Sequence, residues 1–89
     1  PIEGACHVGL IFRFRRPKSH YRSNGLLKQS APTYLIVKKN DLDKLVRSTL
    51  DALSGIAFID DCQVTNLSAT KRYCNEDEVV GADILINKL

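Results

Sequence analysis

The strongest periodicity in the chain is an apolar stripe. Leu42, Leu45, Val46, Thr49, Leu50 and Leu53 recur at i, i+3, i+4, i+7, i+8 and i+11. This spacing predicts an α-helix over about Asp41 to Ser54, roughly 21 Å long, with one face that must be covered. Asn40 or Asp41 stands where an N-cap belongs, and Gly55 where a left-handed residue closes a helix. No second segment has this period, so the cover has to come from strands. His7–Arg15 alternates, with Val8, Leu10, Phe12 and Phe14 on one side and Gly9, Ile11, Arg13 and Arg15 on the other, and stops at Arg16-Pro17. Gln63–Tyr73 is rich in Val and Thr and alternates loosely. Ala82–Asn87 alternates as a final strand. The order strand, loop, helix, strand, strand predicts an α+β fold, a small mixed β-sheet with one main helix packed on it.

Residues 16–33 have no period and carry Pro17, Gly25 and Pro32. Loops of this length without structure of their own tend to be functional or disordered. With 89 residues, this is one domain with room for a single modest core. No apolar run approaches the ~20 residues of a membrane-spanning helix, and no secretory signal is visible at the first residues. Cys6, Cys62 and Cys74 are odd in number and form no CxxC pair, which points to reduced thiols. A zinc site is disfavoured by the spacing.

The net charge of +3 is unevenly spread. Residues 1–40 carry +7 and residues 41–89 carry −4. A basic half suits a polyanionic partner. In the acidic half the chemistry concentrates at Asp41-Leu42-Asp43 and Asp60-Asp61. Each pair alone reads as helix capping or a turn. Gathered together, such carboxylates repel by about 4 kcal/mol per pair at 4 Å and an effective dielectric of 20, unless a cation neutralises them. Oxygen-only ligands suit Mg²⁺ or Mn²⁺ rather than zinc. Arg47, one turn after Asp43 and one before Asp51, reads as a surface i, i+4 ladder or as a phosphate-binding cation. His20 and Tyr21 are weaker candidates, for a general base and a base-stacking ring respectively.

Asp41-Leu42-Asp43-Lys44-Leu45, then Leu50-Asp51-Ala52-Leu53, Gly55 and Asp60-Asp61-Cys62-Gln63-Val64 resemble the signature of the RusA family of Holliday-junction resolvases. The loop Arg16-Pro17-Lys18-Ser19-His20-Tyr21 resembles its phage and prophage branch. The resemblance spans about Leu10 to Tyr73. It implies a cytoplasmic, homodimeric, magnesium-dependent endonuclease that cuts four-way DNA junctions with paired nicks. By the same resemblance Asp41, Asp43 and Asp61 are the metal-binding acids, with Mn²⁺ a substitute for Mg²⁺. Arg47 stands where the characterised enzyme has an important Lys, so charge is kept and proton donation is not. Family members also carry a strand and a helix ahead of the region matching His7–Arg15. Together with the missing initial Met, this leads us to expect an N-terminally truncated single domain. Arg15, Arg16, Lys18, Lys38 and Lys39 are the expected phosphate contacts, with a salt slope near −4 to −5 if about five phosphates are neutralised. The rival expectations are a non-catalytic nucleic-acid-binding module and a nuclease preferring other branched DNA.

Overall fold

A computed structural model describes all residues, Pro1–Leu89. Three strands form one sheet: β1 (Cys6–Phe14), β2 (Val64–Tyr73) and β3 (Gly81–Lys88). The order is β2-β1-β3, with β1 parallel to β2 and antiparallel to β3. The helix α1 (Leu42–Leu53) lies on the crossover between the parallel strands, as a parallel pair requires a long connection. The α+β expectation holds, and the four predicted elements are found within a residue or two of their predicted ends. No helix is long and apolar enough to cross a membrane.

The register explains the core. Val8, Leu10 and Phe12 lie opposite Leu67, Ala69 and Lys71 on one side and Ile86, Ile84 and Ala82 on the other. All nine therefore share the face that α1 covers. Cys6, Val8, Leu10 and Phe12 are buried there with Phe58, and the stripe residues Leu42, Leu45, Val46, Leu50 and Leu53 pack against them. The central strand and Phe58 supply most of the eight buried residues in the chain. Phe58 is brought in by the tight connection after the helix. Gly55 takes φ 84°, its amide donates to Phe58 O at 2.7 Å, and Ile2 bridges Phe58 from the N-terminal side.

The segment read as an unstructured loop is ordered. Lys18–His20 forms a 3-10 turn. Tyr21 bridges Leu27, Arg22 N donates to Leu26 O at 2.7 Å, and Lys28 N donates to His20 O at 2.9 Å. The segment returns to the sheet where Tyr73 N donates to Thr33 O at 2.9 Å. All three cysteines are free.

Two ion pairs tie the sheet's far end. Arg13 pairs with Asp83 across β1 and β3. Arg72 grips Glu78 with both terminal nitrogens, at 2.6 and 2.8 Å, while Asn75 N donates to the same carboxylate at 2.7 Å. The Arg72 guanidinium, and next the Asn75 amide, hold Glu78 down to about 2 from an ordinary 4.5. A carboxyl depressed on folding stabilises the fold above its unfolded value, and that contribution fades as pH falls toward the folded value. Acid titration followed by circular dichroism should therefore show Glu78→Gln less stable than the parent above pH 5, the gap closing between about pH 4.5 and 2.

Candidate active-site groove

The lead-in to α1 is set by Asn40, which takes φ 64°, the left-handed region that Asn tolerates better than most side chains. Lys71 Nζ on the neighbouring strand donates to Asn40 O at 3.2 Å and ties this corner to β2. Asp41 follows at the N-cap position, but its side chain accepts no capping bond. Its carboxylate instead lies 3.8 Å from Lys44 Nζ. Leu42 turns inward against the core and Asp43 stands exposed in the first turn. The alternation of polar and apolar residues thus aims Asp43 away from the core.

Asp60 and Asp61 have different tasks. Asp60 caps a short 3-10 turn, Asp61–Gln63. Its carboxylate accepts from Cys62 N at 2.9 Å, and the Gln63 side chain accepts from the Asp60 and Ile59 amides. Gln63 Nε2 also donates to Ile2 O and Gly4 O, at 2.8 and 2.9 Å. This Gln fixes the lead-in to β2 to the N-terminal segment. The Cys62 amide, and next the Asp61 carboxyl, lower the Asp60 pKa. Asp61 moves the other way. Its hydrogen bond with Asp60 contributes most, followed by partial desolvation and the negative charges of Asp60 and Asp51.

A groove of about 740 Å³ runs between α1 and β2. Leu42, Val46, Leu50, Leu67 and Ala69 form its apolar walls, and Asp43, Arg47 and Asp61 are its charged residues. Three of the four residues expected at the site line this groove. Asp41 is not among its lining residues, and nowhere in the chain do three metal-ligating side chains converge. The surface ladder read from Asp43, Arg47 and Asp51 does not form: Arg47 is in none of the chain's three ion pairs and faces the groove instead. Leu67 and Ala69, the groove floor, were not singled out as site residues. The loose alternation of β2 marks their face, but only the strand register places them beneath Asp43.

The expected phosphate contacts divide. Arg15, Lys18, Lys38 and Lys39 are exposed and unpaired. Arg16 is 8% exposed and already engaged, which corrects its reading as a free phosphate ligand. Its Nε donates to Cys74 O at 2.8 Å, while one terminal nitrogen donates to Pro32 O at 2.7 Å and to His20 Nδ1 at 3.2 Å. The guanidinium also sits 5.3 Å from the Tyr73 ring centre, and His20 packs edge-on against that ring at 4.7 Å. His20 and Arg16 are therefore partners in one packed node at the sheet's end.

A family model for endodeoxyribonuclease RusA matches residues 1–83. The chain belongs to the RusA endodeoxyribonuclease family. No curated protein and no solved structure gave a match.

The crowding at Asp61 has a measurable consequence. An acid whose pKa is raised on folding opposes folding when ionised, so at pH 7 its charge is a liability. Asp61→Asn, which can still hydrogen-bond Asp60, should melt at or above the parent temperature at pH 7. The difference should vanish below about pH 3. A lowered melting temperature at pH 7 would show that the charge is not under strain.

Proposed function

We propose that this chain is a divalent-metal-dependent endonuclease that resolves four-way DNA junctions by paired nicks as a homodimer in the cytoplasm of a bacterial or phage-infected cell. Residues 1–89 are read as one nuclease domain. The observation that supports the proposal is that Asp43, Arg47 and Asp61 line one groove in a member of an endodeoxyribonuclease family. Two hard oxygen donors suit Mg²⁺, which commonly takes one or two carboxylates and completes its shell with water and phosphate oxygens. Asp43 and Asp61 are the groove carboxylates that would hold such an ion, with Asp41 a further acid at the start of the helix. Mn²⁺ has the same ligand preference. A divalent ion held there supplies polarisation of the scissile phosphate and a more acidic water.

The chain's own groups then have distinct roles. Arg47 remains charged at every relevant pH, so it orients and neutralises a phosphate without moving a proton. Asp60 keeps Asp61 at the groove's rim by capping the turn that carries it. Arg15, Lys18, Lys38 and Lys39 hold backbone phosphates without reading sequence. A dyad relating two such grooves accounts for symmetric nicking.

Titration of Mg²⁺ or Mn²⁺ against a synthetic four-way junction tests this directly. The parent chain should nick it, and Asp43→Asn or Asp61→Asn should reduce the rate by at least about 100-fold while junction binding persists. Arg47→Lys should retain more activity than Arg47→Gln, because charge is what the site uses. Binding without nicking at any metal concentration would make the protein a nucleic-acid-binding module. Faster nicking of flaps or forks than of junctions would reassign the substrate.

A further inference from the structure

We infer that the cavity between Tyr21 and the β2–β3 connection takes a nucleobase that has left its stack, with the Tyr21 ring against its face and Arg16 and Glu76 at its edge. The inference rests on the nuclease reading, which supplies the nucleic acid, and gives that substrate a point of contact other than its phosphates.

The cavity has a volume of about 400 Å³, within the range of small-ligand sites. It lies at the end of the sheet, where Arg15 and Arg16 leave β1, Cys74 follows β2, and residues 75–80 lead to β3. Both walls are held before any ligand arrives. On one side the Tyr21–Leu27 bridge and the Arg22 N to Leu26 O bond close a hairpin, and Lys28 N donates to His20 O. On the other, Arg72 grips Glu78, Glu78 N donates to Asn75 O at 3.1 Å, and Arg13 Nε donates to Val79 O at 3.0 Å. A preformed site loses little of its binding energy to ordering itself.

The lining points to a base rather than a phosphate. It offers a free aromatic ring. Tyr73 is engaged by His20 and Arg16, and Tyr34 lines no cavity, whereas Tyr21 is exposed, pairs with no other ring and lines this one. Every base has a π-face for such a ring. A donor comes from Arg16, whose Nε and one terminal nitrogen are taken by Cys74 O, Pro32 O and His20. Its other terminal nitrogen has no partner in the chain. No buried side-chain nitrogen is left unpaired, so this one reaches the surface, and the surface that Arg16 lines is this cavity. An acceptor comes from Glu76, which is exposed and in no ion pair. Its carboxylate repels a phosphate but accepts from the N–H groups of a base edge. The exposed side chains of Val79 and Val80 supply apolar wall.

Cys74 lies about five residues beyond Ala69, the last groove residue on β2, or about 17 Å of strand at 3.3 Å per residue. Cavity and groove are thus near enough to hold neighbouring parts of one substrate. A base leaves its stack most readily where pairing and stacking are already disturbed, as at a branch point.

The test measures binding of the full chain carrying Asp43→Asn, by fluorescence anisotropy, to four-way junctions that are intact or carry one abasic site at successive positions out from the branch. At one position the abasic junction should bind more weakly by about 5- to 150-fold, the range for losing one stacked base. Tyr21→Ala should lose as much on the intact junction and nothing further on that abasic one, while Tyr21→Phe should match the parent on both. Glu76→Ala should weaken binding to the intact junction and leave the abasic one unchanged. Thermal melts followed by circular dichroism establish that the variants are folded. Abasic junctions bound as tightly as intact ones at every position, or an equal loss in Tyr21→Ala on both, would overturn the base site. So would a Tyr21→Phe protein as weak as Tyr21→Ala, or a Glu76→Ala protein that binds both junctions more tightly, as a phosphate site would. If the base site fails while the parent chain nicks junctions, the nuclease reading stands. If the parent neither binds nor nicks, both fall.

Discussion

Everything in this small fold is organised by the burial of one strand's inner face. Val8, Leu10 and Phe12 are the only long apolar side chains that have strands on both flanks and a helix above. Each fully buried residue of this kind is worth roughly 1.5–3 kcal/mol against exposure, and only a handful are available. The helix stripe, Phe58 and the inward residues of β2 and β3 all lie where they can cover β1. The pairing directions follow, since the crossover carrying α1 leaves β1 and β2 parallel, and the connection from Asn75 to Val80 reverses the chain and carries it past β1, so that β3 pairs antiparallel on β1's other edge.

That arrangement also creates the groove. The stripe of α1 packs on one face of the sheet, and on that same face Leu67 and Ala69 of β2 are only partly covered, so they line the groove with Asp43 and Arg47. The charged groups of the site thus come from positions that the core does not need. Asp43 is exposed where Leu42 beside it turns inward, and Asp60 and Asp61 are both exposed, with Asp60 alone engaged in capping. The hydrogen bond with Asp60, and then desolvation and the charges of Asp60 and Asp51, raise the proton affinity of Asp61.

Periodicity made the architecture legible in the sequence. The alternation around Val8, Leu10 and Phe12 and the helical recurrence from Leu42 to Leu53 are each dictated by one buried face, and each element falls where its pattern places it. The site was legible only in part. Asp43 and Asp61 are separated by the whole helix, and their common groove depends on strand register, which no local pattern encodes; the family signature supplied the link. Arg16 was misread for a related reason. A basic residue at the start of a Pro- and Gly-containing stretch looks like free surface charge. Its true partners, Cys74 O and Pro32 O, lie 58 and 16 residues away, and a buried Arg satisfied by backbone carbonyls leaves no trace in composition. The order of the whole segment depends on those bonds, so it was hidden with them.

Asn40 carries one further implication. Its left-handed backbone, held by the Lys71 ammonium, turns the chain from the exposed Lys38-Lys39 stretch into the helix. What this position demands is a torsion angle and not a functional group: glycine fits, aspartate is tolerated, and a β-branched residue would have to unwind the corner. Sequence drift at this site is therefore policed by backbone sterics, and the aim of a carboxylate three residues downstream depends on that policing.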